Sequence, residues 1–179
     1  GTWLSRPGCA VILPFRVVGV FGQAELTSCG LNGGPLAGEG YYPSCIACHL
    51  FTDRPVIYVG DSDKPEYVNG SFPKIVKEGW DGDQNEGYIT NMYDQCTAGF
   101  RYFDLSHVSE ITLTIRGYAY GSMEIRTSFE GSAVKTIPLH YSNIWRDIKT
   151  EIKLPEGADS LYFTYRGPGS ASFKGFTLK

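Results

Sequence analysis

The chain has 179 residues, 42% of them hydrophobic and 20% charged, with 22 glycines and 10 prolines. That is an ordinary globular composition, enough for one domain or one domain plus a partial neighbour, and it excludes disorder and coiled coil. Sixteen basic against 19 acidic residues leave a net charge of -3, so no basic field exists to draw the chain onto phosphate backbones or anionic lipid, and neither nucleic acid nor membrane is an expected partner.

The chain opens at Gly1-Thr2-Trp3 with no initiator methionine, the start expected of a processed or excised segment. Its most apolar stretch, residues 9–21, is broken by Pro14 and Arg16, which rules it out as a membrane span. Five cysteines (9, 29, 45, 48 and 96) are odd in number and irregularly spaced, a poor disulfide framework in a chain that can fold without staples.

Up to about residue 80 the pattern is irregular. Short apolar runs at residues 9–13, 17–21, 46–51 and 56–59 are of strand length, and turn-rich text separates them. The acidic run Asp81, Asp83, Asn85 and Glu86 has the oxygen-rich composition of part of a calcium loop but lacks the Gly and Glu at its sixth and twelfth positions, so it reads as a solvated loop. From Tyr88 onward period-2 alternation takes over. Ile111, Leu113 and Ile115, then Met123, Ile125, Thr127 and Phe129, then Leu161, Phe163 and Tyr165 mark three half-buried strands. Ile144, Ile148 and Ile152 mark a fourth, whose outer face carries Trp145, Asp147, Lys149 and Glu151. Turn signals recur every eight to twelve residues or somewhat more, and no helix is evident. These features predict an all-β fold, a β-sandwich of two antiparallel sheets.

Chemistry is sparser. Cys45-Ile46-Ala47-Cys48-His49 satisfies the CxxCH pattern of covalent haem attachment. It equally suits a buried strand, and a haem domain of this size would need a helical scaffold. A zinc site is disfavoured because His107 and His140 fall outside ligand spacing. No phosphate-binding glycine loop, GxSxG elbow or HExxH is present. Asp53, Asp61, Asp63 and Glu66 lie in loop-like text and do not form an evident glycosidase pair, so no catalytic function is expected. The aromatic residues say more. An indole on the wet side of a strand, rimmed by polar groups, suits the flat C–H face of a sugar ring; it equally suits packing against the first 80 residues.

Taken in order, several segments resemble a family 6 carbohydrate-binding module: Gly87-Tyr88-Ile89, Ala98-Gly99-Phe100-Arg101-Tyr102-Phe103, the strand of residues 111–116, Trp145-Arg146-Asp147-Ile148, Leu154-Pro155-Glu156-Gly157 and Phe173-Lys174-Gly175-Phe176. Residues 25–36 and 42–50 resemble the region that follows the catalytic propeller in family 43 glycoside hydrolases of the β-xylosidase and α-L-arabinofuranosidase type, and Gly1-Thr2-Trp3-Leu4-Ser5-Arg6 resembles the tail of its last blade. The resemblance implies remnant or linker strands over residues 1–40 and a jelly-roll β-sandwich over 41–179. It further implies non-catalytic binding of xylan, arabinoxylan or a related β-glycan on behalf of an attached hydrolase, and a secreted or cell-surface location. Its sugar clasp maps onto Tyr88 and Trp145. Ser172 stands at the family's asparagine position, keeping a hydroxyl but losing the two-ended amide. The alternative implied role is a structural appendage that stabilises the catalytic domain without binding sugar. No cofactor is expected beyond a structural calcium that the resemblance leaves open. The family's structural calcium would draw on the strand at Ile46-Ala47-Cys48-His49, where no carboxylate stands.

Overall fold

The computed structural model describes residues 34–53, 73–77 and 87–179. The apolar runs at 9–13, 17–21 and 56–59, the acidic loop and most of the 1–40 segment lie outside them. Eleven strands are formed among the described residues: β1 (Gly40–Pro43), β2 (His49–Phe51), β3 (Lys74–Lys77), β4 (Gly87–Met92), β5 (Thr97–Arg101), β6 (Glu110–Ala119), β7 (Ser122–Arg126), β8 (Lys135–Pro138), β9 (Ser142–Glu151), β10 (Ser160–Arg166) and β11 (Gly169–Leu178). One 3-10 turn, Ser44–Ile46, precedes β2.

Two sheets face each other. A six-stranded sheet runs β3-β4-β11-β6-β9, with β1 also paired to β11, and a five-stranded sheet runs β2-β5-β10-β7-β8. Every strand pair is antiparallel. The expected jelly-roll sandwich is therefore what forms. Alternation decides the faces: Ile111, Leu113 and Ile115 of β6 and Leu161, Phe163 and Tyr165 of β10 all point inward. Between the sheets, Phe100 and Phe163 meet Phe173 and Phe176, all fully buried, with Phe100–Phe176 and Phe163–Phe173 centroids 5.0 Å apart. Each buried ring contributes about 1.5–3 kcal/mol through removal of apolar surface from water. Leu36, bridged to Phe103, joins the same core.

Three local expectations need correction. The strand through Phe129 stops at Arg126, because Val134 N–H bonds the Ile125 carbonyl (2.8 Å) and the chain reverses into β8. Phe129 instead packs on the far side of the five-stranded sheet, 4.9 Å from His49 and 5.1 Å from Phe51. Ile144 does not enter the core; it is 60% exposed. Ile115 pairs with Arg146 but Gly117 pairs with Ser142, so Asn143, Ile144 and Trp145 all oppose the single residue Arg116. This bulge throws Ile144 outward while Ile148 and Ile152 still face inward. The apolar run 46–51 is not one strand but the end of the 3-10 turn followed by β2.

Candidate functional site

Tyr88 (β4), Ser172 (β11) and Trp145 (β9) stand on the outer face of the six-stranded sheet, and the structure brings all three together around Arg116 of β6. Ser172 lies directly opposite Arg116 in the β6–β11 ladder, and its hydroxyl is 3.2 Å from that of Thr90. Arg116 donates to the Tyr88 hydroxyl (3.2 Å). Its guanidinium carbon is 5.1 Å from the Tyr88 ring centroid and 4.2 Å from that of Trp145. The two rings meet edge to face, 5.2 Å apart at 77°. The Lys174 ammonium is 5.7 Å from the same indole.

Three interruptions of the ladders meet here, and each re-aims a side chain. Asn91, with φ 60°, supplies an extra residue in β4 between Ile89 and Met92. Lys174 falls in the extra position of β11 between Phe173 and Gly175. The bulge of β9 carries Trp145 itself. Bulges bend a strand and redirect its side chains, which is why they gather at binding sites. A buried hydroxyl repairs the damage to the β4–β11 pairing: Ser44 donates to the Phe173 carbonyl and accepts from the Ile89 amide (3.1 Å). It thus pegs together the neighbours of Tyr88, Ser172 and Lys174.

The resemblance singled out Tyr88, Trp145 and Ser172, and the structure places all three on one patch. Arg116 and Lys174 were not singled out, although the alternation of residues 111–116 puts Arg116 on the outer face. Trp145 is half-buried. The two rings make contact with each other and carry a cation over both; they do not form an open slot.

The Cys45-Ile46-Ala47-Cys48-His49 pattern folds as the 3-10 turn running into the edge strand β2. The Cys48 thiol lies 3.4 Å from the Gly99 carbonyl, and the His49 ring is enclosed by Phe51, Phe129 and Tyr162. Burial, with the Arg101 charge adding to it, depresses the His49 pKa. Among the described residues no group of three His, Cys, Asp or Glu side chains is placed to hold a metal. Nearby, on the outer face of the five-stranded sheet, Phe51, Thr97, Arg126, Phe129, Thr164 and Arg166 are among the residues lining a depression of about 210 Å³. Arg126 and Arg166 both pair with Glu124 there.

The architecture is a two-sheet antiparallel β-sandwich, a fold shared with solved carbohydrate-binding modules. A family 6 (CBM6) module from Clostridium stercorarium, solved with cellobiose, superposes with TM-score 0.61 over 82% of this chain and 98% of its own, at 10% identity. A family 6 module from Clostridium cellulolyticum, solved with xylose, gives 0.59 over 80% and 98%, at 12% identity. A family 43 arabinoxylan arabinofuranohydrolase from Bacillus subtilis, solved with cellotetraose, gives 0.61 at 13% identity over 82% of this chain and 28% of that enzyme. By sequence the chain is similar to a xylosidase/arabinosidase of Thermoclostridium stercorarium, with 44% identity over 178 residues. The match takes in 99% of this chain, which spans 37% of the length of that relative. No family model matches the chain. The sequence resemblance, to a family 43 hydrolase region with a family 6-like module, agrees with both comparisons.

Proposed function

We propose that this chain is a non-catalytic saccharide-binding module that holds an attached glycoside hydrolase domain on plant cell-wall polysaccharide, xylan, arabinoxylan or a related β-glycan. The observation that carries this is a sandwich of the family 6 module type whose six-stranded sheet gathers aromatic side chains, Tyr88 and Trp145 among them, on its outer face. The similarity to a xylosidase/arabinosidase, and neighbours of the same fold solved with cellobiose and xylose, support the ligand class. An appended binder works by raising the local concentration of the enzyme at an insoluble substrate, so even a weak site is useful. Such a substrate lies outside the cell, and the module acts there, secreted or at the cell surface.

A second reading, a sandwich that only buttresses its hydrolase, is favoured by one observation: Arg116 lies over both rings of the clasp. Calorimetric titration of the chain with xylohexaose, soluble arabinoxylan and cellohexaose separates the two. Saturable heat with one of them establishes the module and its ligand class; silence with all three leaves the buttress.

A further inference from the structure

Among the described residues, the two most exposed aromatic side chains lie outside the clasp. Tyr118 and Tyr120 at the end of β6 are 66% and 62% exposed, and Tyr141, just before β9, is 45% exposed. Tyr141 is the ring neighbour of both others. Tyr118 and Tyr141 are 5.0 Å apart at 39°, and Tyr120 and Tyr141 are nearly parallel, at 12° with 6.3 Å between centroids. Single exposed aromatics are common on any protein, but a contiguous group of them held in place is not.

The frame beneath is built to hold it. Tyr165, fully buried, donates its hydroxyl to the Pro168 carbonyl (2.6 Å) and accepts the Tyr120 amide (3.1 Å), locking the turn after β6 to the turn before β11. The same turn is tied on its other flank, where Leu139 N–H meets the Gly121 carbonyl at 2.8 Å. At Gly169 the two turns approach so closely that a Cβ would sit 1.7 Å from the Tyr118 carbonyl oxygen. Tyr118 shares the outer face with Arg116, two residues back along β6, so the tyrosine surface continues directly from the clasp. Its own members carry hydroxyls and no formal charge, and Ser170, opposite Tyr118 in the ladder, adds a further hydroxyl.

We propose that Tyr118, Tyr120 and Tyr141 form a stacking platform for a neutral saccharide chain, and that this platform, not the Tyr88–Trp145 clasp, carries most of the module's affinity. The inference rests on the saccharide-binding reading above and says where that binding occurs. A sugar ring has weakly polar C–H faces and a rim of hydroxyls. Phenol rings match both, stacking against the face while their own hydroxyls reach the rim. A rigid tyrosine loses little conformational freedom on binding, so a pre-formed platform needs few strong contacts to be effective. The clasp offers no comparable space, since its rings are in contact and Arg116 covers both. The depression on the opposite sheet is lined by arginines committed to Glu124, which suits a neutral ring less well.

The test is calorimetry of the full chain with xylohexaose and cellohexaose, comparing wild type with Tyr120→Ala, Tyr118→Ala, Tyr120→Phe and Trp145→Ala, each checked by its thermal melt. Affinity should fall on the order of tenfold or more in each tyrosine-to-alanine variant, with Tyr120→Phe keeping most of it because the stacking face survives. Trp145→Ala should change affinity less than either. Wild-type binding that persists unchanged in both tyrosine-to-alanine variants overturns the platform and leaves the function standing. No binding by the wild type overturns the function and the platform with it. Sedimentation velocity gives the remaining outcome: a wild-type dimer that both alanine variants dissociate, with no dependence of saccharide heat on either tyrosine, makes the patch a self-association surface instead.

Discussion

The guanidinium carbon of Arg116 sits 4.2 Å from the centroid of the Trp145 ring and 5.1 Å from that of Tyr88. In a clasp, two aromatic faces hold a pyranose between them, which needs roughly 7–8 Å from face to face, the sum of two carbon contacts. The rings here are 5.2 Å apart and edge-on, which leaves no slot between them, and what covers both is the arginine. Replacing it reopens the site. Arg116→Ala should cost about 1–2 kcal/mol of stability, from its cation–π contacts with two rings and one charged hydrogen bond. It should also raise the part of saccharide affinity that depends on Trp145, read by titrating Arg116→Ala with and without Trp145→Ala. If affinity in the two backgrounds is the same, the arginine is not what keeps sugar out.

Ser44 should matter more than its size suggests. Its hydroxyl serves the Phe173 carbonyl and the Ile89 amide inside a fully buried site, and Ser44→Ala strands both backbone groups. The expected loss is about 2–3 kcal/mol in urea unfolding, because an unsatisfied buried polar group costs its full desolvation. Hydrogen exchange locates the effect: the Ile89 amide should lose protection while those of the β7–β10 ladder keep theirs. Uniform loss across both sheets would point to a general packing defect instead.

The fold was legible because alternation is a direct record of which face meets the core, and Ile111, Leu113 and Ile115 or Leu161, Phe163 and Tyr165 obey it without exception. What alternation cannot show is where it is deliberately broken. Phe173 and Phe176 are three apart yet both are buried, because the extra residue at Lys174 shifts the register. The bulge at Asn143–Trp145 likewise sent Ile144 to solvent. The three bulges cluster around Tyr88, Trp145 and Ser172, so Tyr88 and Ser172 were singled out only through the order of motifs along the chain, whereas alternation alone put Trp145 on the outer face. Alternation placed Arg116 on the outer face, but its contact with both rings, which spans two ladders, had no local signal. The tyrosine platform depends on Gly117 pairing with Ser142, a register set by that same bulge.

Gly169 and Gly157 make a matched pair for testing the frame of the platform. Both have positive φ, 85° and 75°, but a Cβ on Gly157 meets nothing within 4 Å while one on Gly169 would collide with the Tyr118 carbonyl oxygen at 1.7 Å. Gly157→Ala should cost only the backbone preference, about 1 kcal/mol. Gly169→Ala must in addition push two turns apart, and should lower the melting temperature well beyond its counterpart and weaken saccharide binding in parallel. Equal melting shifts for the two variants would mean that the turns can separate without strain.

His49 makes stability depend on pH in a direction fixed by its surroundings. Its ring is enclosed by Phe51, Phe129 and Tyr162, and burial together with the nearby Arg101 charge lowers its pKa. The unfolded chain takes up a proton at the ordinary imidazole value of about 6.5, whereas the folded chain resists it to lower pH. Unfolding therefore binds a proton in that window, and stability contributed by neutral His49 is present above about pH 6.5 and lost as the pH falls below it, at a slope of no more than about 1.4 kcal/mol per pH unit. Urea midpoints measured from pH 7.5 to 5 should decline in the wild type, and His49→Phe, which keeps an aromatic ring in the cluster, should flatten that decline. If the slope is the same in both proteins, the acid sensitivity arises from another group and the His49 ring accepts its proton without disturbing the cluster.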